Sequence, residues 1–327
     1  MNTFGNIFTV QLFGASHAPE IGVIIEGCPA GVPLTVDDFL SALHRRKPLV
    51  SGTTARLEDD IPELRRGVSN NYTTGDTIEI AFKNNNTRPQ DYDFGGFYRP
   101  GHADYTSAVK YGHEKTLSGG GFFSGRTTVA LVAAGIVAAK ITPGVSYQAF
   151  LKEIGGSSDF EAVVSAAVVS GDSLGGIVHC DIFGVPAGLG EPYFDSLESL
   201  MSHAMFSIPG IKAISFGDGI RAASMKGSEF NDCYSGDHGK TFTNHAGGIQ
   251  GGISNGNPIS FDVYVRPPSS ISKPQISFNS LTGKIEEFSV PGRHDVCFAL
   301  RLPVVIEMMA ACVVADATLR ASNKTTS

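Results

Sequence analysis

A chain of 327 residues that is 42% hydrophobic and 17% charged has ample apolar content for a core and leaves one large domain or two smaller ones open. Its formal charge of −7 excludes a general nucleic-acid or membrane-surface binder, so any anion site must be a local cluster of cations. Five cysteines without a CxxC pair disfavour a disulfide framework and a zinc knuckle, and no apolar run reaches the roughly 18 residues of a membrane span.

Residues 1–6 carry no basic stretch leading into an apolar run, and the expectation is a cytoplasmic protein with reduced thiols that engages neither nucleic acid nor membrane. Residues 4–13 and 21–27 are β-rich. They flank Gly14-Ala15-Ser16-His17-Ala18-Pro19, which puts Ser16 and His17 on a turn, where a histidine is either solvated or presented to a ligand. Thr35 opens a helix with Asp38 at the capping-box position and with Val36, Phe39, Leu40 and Leu43 on one face, until Pro48 stops it. Arg45, Arg46 and Lys47 crowd its last turn, where they suit the helix dipole or clamp a phosphate or carboxylate. Residues 51–92 are polar and read as strands joined by turns, with Asn84-Asn85-Asn86 as a long mobile loop, the whole forming a lid or a sheet edge.

The chain is organised around residues 99–140. Arg99-Pro100-Gly101-His102-Ala103-Asp104 delivers Arg, His and Asp within six residues, and Gly119-Gly120-Gly121-Phe122-Phe123-Ser124-Gly125-Arg126 opens an alanine-rich helix over 126–140. Backbone N–H groups at such a helix start, with cations beside them, suit an anionic ligand, and the histidine adds an acid–base group. Helix and strand signals follow on either side of a break at Gly155-Gly156, then a strand over 175–183 burying Cys180 and a helix over 197–206. The glycine pairs within Asn244-His245-Ala246-Gly247-Gly248-Ile249-Gln250-Gly251-Gly252 form a tight structural turn or bring bare backbone beside a flat or charged group. A strand ends in Arg266-Pro267-Pro268-Ser269-Ser270, and Gly292-Arg293-His294-Asp295 precedes a last helix over 302–319.

Taken together, Gly14-x-Ser16-His17, Arg99-Pro100-Gly101-His102-Ala103-Asp104, Ser124-Gly125-Arg126-x-Thr128, Asn244-His245-Ala246-Gly247-Gly248 and Gly292-Arg293-His294-Asp295-x-Cys297 resemble the chorismate synthase family, in order and over nearly the whole chain. The resemblance implies an α/β fold: a single domain over 1–327, built as a β-α-β sandwich with mixed or antiparallel sheets around a helical layer, and assembled as a homotetramer. It implies a lyase of the shikimate pathway that makes chorismate by 1,4-elimination of phosphate from 5-enolpyruvylshikimate 3-phosphate, with reduced FMN required but not consumed. No reductase domain is visible, so reduced flavin is expected from an external flavin reductase or an NADPH-linked reductant.

Residue by residue, the resemblance makes His17 the acid for the leaving phosphate and His102 the group that keeps the flavin protonated, while Asp295 assists proton removal. Ser16, Arg46, Arg99, Arg126 and Arg293 would bind substrate. Arg46, Phe122, Phe123, Ser124, Gly251, Arg266, Pro267, Pro268, Ser269, Ser270 and Arg293 match the FMN-contact segments. The chain departs from the family pattern at Ala15 and Thr127, where Glu is usual, at Gly52 for Arg, at Phe122 and Phe123 for a polar pair, and at Arg266 for Lys. Two other classes stay open on the residues: a metal-dependent hydrolase using His102, Asp104 and His17, and a non-catalytic flavin-binding protein.

Overall fold

The computed structural model describes residues 2–48, 52–53, 58–85, 94–112, 118–292 and 294–324. In chain order the elements are β1 (Thr3–Phe4), β2 (Thr9–Gly14), β3 (Glu20–Glu26), α1 (Asp37–Arg46), β4 (Glu63–Arg66), β5 (Val68–Ser69), β6 (Tyr72–Thr73), β7 (Ile78–Lys83) and α2 (Asp104–Tyr111). Then come α3 (Thr128–Ile141), β8 (Ser146–Ile154), α4 (Phe160–Ser170), β9 (Gly176–Phe183), α5 (Leu197–Phe206), β10 (Ile211–Phe216) and α6 (Gly227–Phe230). The chain continues through β11 (Ile249–Gln250), β12 (Ile253–Ser254), β13 (Ile259–Val265), β14 (Gln275–Asn279), β15 (Lys284–Phe288) and α7 (Pro303–Lys324).

Two antiparallel sheets enclose the helices. The first has strand order β1-β2-β3-β7-β4 and the second β10-β13-β9-β8. In the first, Val23 pairs with Ile80 and Ile25 with Ile78, all fully buried, so the alternation of each strand turns one apolar row inward. Because β7 lies between β3 and β4, residues 78–83 are interior strand. The expected lid or edge is corrected there by the unbroken burial of Ile80, Ala81 and Phe82. In the second sheet Val178 and Cys180 face inward opposite Val263 and Phe261.

Helix α3 packs on β2, β3 and β7, while α7 packs on β8 and β9, and the two helices pack on each other. The layers therefore run sheet, helix, helix, sheet. Helix α3 is buried on every side from Thr128 to Ala138, which fits its small and β-branched residues. The closest approach falls at Gly135, where a Cβ would stand 2.2 Å from the Met308 carbonyl oxygen. Only glycine leaves room for that crossing.

Local signals set the ends of α1. Asp38 Oδ2 accepts from the Thr35 backbone N–H at 2.7 Å and from its hydroxyl at 3.0 Å, so only the carboxylate half of the expected capping box forms: the Asp38 N–H goes to the Thr35 carbonyl at 3.3 Å, and the helix starts at Asp37 with no side-chain cap. Phe39 and Leu43 are buried, but Val36 and Leu40 are exposed, so the apolar face is narrower than the sequence spacing implies. A further tie joins distant segments: Asp316 on α7 is buried, and its Oδ1 accepts from the backbone N–H groups of Asn6, Ile7 and Phe8 at 3.1, 2.7 and 2.9 Å.

Candidate active site

The sandwich brings residues from eight stretches to one cavity of about 310 Å³. Its lining includes Ser16, Arg46, Arg99, His102, Phe123, Ser124, Arg126, Arg266, Pro268, Ser269, Ser270 and Asp295. Six cations line it, namely Arg46, Lys47, Arg99, Arg126, Arg266 and Arg301, against the three carboxylates of Glu58, Asp60 and Asp295. A cavity so charged in a protein of net negative charge selects anions.

Each arginine is fixed by its neighbours. Arg46, at the end of α1, is buried and sets Nη2 2.5 Å from Asp60 Oδ2. Arg126 donates from Nη1 to the other oxygen of Asp60, and from Nε to Asn84 Oδ1 at 3.0 Å. Burial alone would raise the Asp60 pKa, but Arg46 and Arg126 outweigh it and hold the carboxyl below its ordinary value. Two guanidinium groups thus share one carboxylate and keep a surplus positive charge. The Nε of Arg46 is buried and makes no hydrogen bond among the described residues. Such a donor is costly unless a ligand meets it.

Ser124 caps the turn that leads into α3: its Oγ accepts from the Arg126 backbone N–H at 3.2 Å. The Thr127 hydroxyl turns back to the Ser124 carbonyl at 2.9 Å, so this departure from the family pattern closes its own turn. Ala15 offers its carbonyl to Asn84 Nδ2 at 3.0 Å, which ties the Ser16 turn to the residue that also holds Arg126. Gly52 has φ +84°, and its carbonyl accepts from the Val296 N–H at 2.8 Å.

At the start of α2 Asp104 is buried against Arg99 and His102. Its Oδ2 accepts from Arg99 N at 3.0 Å and Arg99 Nε at 2.8 Å. Its Oδ1 accepts from Arg99 Nη2 at 2.7 Å and lies 2.5 Å from His102 Nδ1. Burial works to raise the Asp104 pKa, and the hydrogen bonds from Arg99 and His102 overcome it, so the carboxyl is held far below the usual range. Arg99 also lies over the Phe94 ring, 4.9 Å from its centroid.

Phe94, Phe123, Phe298, Pro209, Pro268 and Leu302 supply apolar surface to the same cavity. Arg266 follows β13, where its N–H donates to the Gly210 carbonyl at 2.9 Å. Burial lowers the Arg266 pKa. Asp295 is paired with Arg301, whose Nη2 lies 2.5 Å from Asp295 Oδ2.

Not every expected residue lines this cavity. His17 is half-buried one residue beyond the lining Ser16, and Phe122 is 62% exposed. Pro267 is exposed between its lining neighbours. Gly251 lies in a separate shallow depression with Gln250, Asp232 and Glu198. The glycine pairs there make a tight hairpin: a Cβ on Gly247, Gly248 or Gly252 would collide with backbone oxygen within 2.7 Å. Arg293 and Asn86 lie outside the described residues.

Asp60 and Arg301 are the site residues that sequence reasoning missed. Among the described residues no three His, Cys, Asp or Glu side chains are grouped to hold a metal, and His102 Nδ1 is engaged by Asp104. The hydrolase alternative required such a group.

Comparison with known proteins adds an independent line. The profile of the family described as Chorismate synthase matches residues 8–319. A chorismate synthase of Chitinophaga pinensis is 54% identical over 318 residues, covering 97% of this chain and 96% of the relative. One of Nitratidesulfovibrio vulgaris is 42% identical over 348 residues, covering 97% and 98%. A solved structure titled as the crystal structure of chorismate synthase superposes with a TM-score of 0.74 at 23% identity, over 97% of this chain and 93% of that one, a likeness of fold.

Proposed function

The chain belongs to the chorismate synthase family, lyases of the shikimate pathway, and on that premise we propose that its arginine-lined cavity is where phosphate leaves 5-enolpyruvylshikimate 3-phosphate. The observation that carries the reading is the convergence of Arg46, Arg99, Arg126, His102 and Asp295 on one cavity. A substrate with a phosphate and two carboxylates needs several guanidinium groups held ready, and Asp60 and Asp104 hold three of them.

The residues also fit reduced FMN. Arg266, Ser124, Ser269 and Ser270 offer donors to a phosphate tail, and the Phe94, Phe123, Phe298 and Pro268 wall suits a flat ring. The unpartnered Nε of Arg46 is a further donor for an anionic group. Reduced flavin, when bound, supplies the electron density that eases elimination across an allylic system.

In this reading Arg46, Arg99 and Arg126, joined by Arg293 from the family pattern, bind the phosphate and carboxylates. His102 keeps a proton beside the flavin. Asp295 accepts the proton lost from carbon while Arg301 steadies its carboxylate. His17, next in the chain to the lining Ser16, protonates the departing phosphate. Phe122, Gly251 and Pro267 stand as flavin contacts by resemblance alone. The proposal includes a homotetramer in the cytoplasm that receives reduced flavin from a separate reductase or an NADPH-linked reductant. No described helix is long and apolar enough to cross a membrane.

The test is an anaerobic assay of phosphate release, with a calorimetric titration of reduced FMN in the presence and absence of substrate. Phosphate should be released only with reduced FMN, and the flavin should bind more tightly with substrate present, since both share one cavity. Turnover without flavin, or no turnover with it, overturns the reading. Equal flavin affinity in both titrations overturns the shared cavity.

A further inference from the structure

The Asp104 carboxylate has two oxygens with about four lone-pair directions, and four donors fill them: Arg99 N, Arg99 Nε, Arg99 Nη2 and His102 Nδ1. The fourth contact decides the state of the histidine. Nδ1 lies 2.5 Å from Asp104 Oδ1 and 3.0 Å from Arg99 Nη2. Without a proton, Nδ1 would set a lone pair against a carboxylate lone pair at that short separation. With a proton it donates a charge-assisted bond, and Arg99 Nη2 loses nothing, because it already donates to Asp104 Oδ1 at 2.7 Å.

We infer that Asp104 is a positioning residue for this site: it fixes His102 in the Nδ1–H form and so reserves Nε2 for whatever occupies the cavity. His102 lines the cavity wall, and its Nε2 lies beside Gly120, where a Cβ would stand 3.5 Å away. Neutral His102 therefore presents an acceptor at Nε2, and protonated His102 a donor, without a change of ring orientation. The same carboxylate orients Arg99, so one residue aligns a proton-handling group and an anion-binding group. Its catalytic consequence rests on the role proposed for His102; the tautomer assignment rests on the hydrogen bonds alone.

Asp104→Asn is the informative substitution. An amide has one oxygen, which Arg99 N and Nε claim at the Oδ2 position; the NH2 then stands at the Oδ1 position, where Arg99 Nη2 loses its acceptor and the NH2 donates to His102 Nδ1. That drives the ring to the Nε2–H form. The experiment is long-range 1H–15N NMR on protein labelled at histidine, with His102 identified by the signals missing from His102→Gln. The wild type should give the Nδ1–H pattern, D104N the reversed pattern, and Asp104→Glu, which keeps a carboxylate, the wild-type pattern. Turnover of D104N should fall on the order of 10²- to 10⁴-fold in kcat with a smaller change in KM. An Nε2–H pattern in the wild type overturns the inference directly, with no variant needed. So does a D104N protein that loses activity with Nδ1–H retained, or one that reverses the pattern with kcat unchanged. Because the spectrum is read without substrate or flavin, a failure of the functional reading leaves this outcome separately visible.

Discussion

Arg301 holds Asp295 through a single pair of atoms, Nη2 to Oδ2 at 2.5 Å, with both side chains largely withdrawn from solvent. The Nε of the same guanidinium is buried and makes no hydrogen bond among the described residues. The carboxylate proposed to take a proton is thus located by an arginine that belongs to the same cavity. Arg301→Ala should lower kcat on the order of 10²-fold, because small misplacements of a reacting group carry penalties of that size. Steady-state kinetics with a circular dichroism melt checks it; kcat within threefold of wild type would mean the pair does not position Asp295.

Asp60 serves both stability and binding. Removing its charge leaves Arg46 and Arg126 buried and mutually repelling, so Asp60→Asn should cost about 3–5 kcal/mol at neutral pH by urea unfolding. The sign with pH follows from the lowered folded-state pKa. The unfolded chain binds the proton first as pH falls, so the stabilisation is complete above the ordinary carboxyl pKa of about 3.9 and is lost as pH drops through the lower folded value. The gap between wild type and D60N should hold from pH 6 to about pH 4 and narrow below it, and a gap that stays constant down through about pH 2 counts against the shared-carboxylate account.

Arg126→Ala should raise the substrate KM more than it weakens flavin binding, at a cost on the order of 2–5 kcal/mol if its partner anion is desolvated. Asp60 retains Arg46 in this variant, so the fold should survive. Unchanged kinetics at low ionic strength would reduce Arg126 to a structural partner of Asp60 and Asn84.

The two histidines should separate by ligand. His102→Ala and His17→Ala should each reduce kcat by about 10-fold to 10⁴-fold. Since His102 lines the cavity and His17 does not, the loss should be larger for His102. Only His102→Ala should alter the absorbance of bound reduced flavin. Near-wild-type kcat in both variants sinks these assignments.

Gly135→Ala tests the helical layer. The added methyl would lie 2.2 Å from the Met308 carbonyl oxygen and 2.3 Å from its Cβ, so α3 and α7 must part. The expected cost is about 1–3 kcal/mol or more, read as a lower Tm. An unchanged Tm would show that the crossing has slack.

Much of this was legible where the determinants are local. The helix over 197–206 and the strand ending at Phe183 lie where periodicity puts them, and Asp38 reaches back to the Thr35 N–H as its spacing predicts, although the other half of the box does not form. Local order also kept Arg99, His102 and Asp104 together, because six residues and a helix start define their geometry. Asp60 was not legible: within Glu58-Asp59-Asp60 nothing marks the one residue whose partners come from 14 and 66 positions away. Arg301 was hidden in the same way, its relation to Asp295 set by how the chain turns into α7. The second glycine loop was not legible in detail, since glycine pairs look alike whether they leave open space, as at Gly251, or pack backbone on backbone, as at Gly248 and Gly252.

The grip of Asp316 on the amides of Asn6, Ile7 and Phe8 bears on the order in which the chain can be assembled. The carboxylate emerges from the ribosome 308 residues after Phe8. Strands β1 and β2 are made first, yet the N–H groups of Asn6, Ile7 and Phe8 lack this carboxylate acceptor until α7 has been synthesised and docked. At a synthesis rate of about 5–20 residues per second, those amides wait on the order of tens of seconds. The turn between β1 and β2 is therefore closed by one of the last segments of the fold to be made.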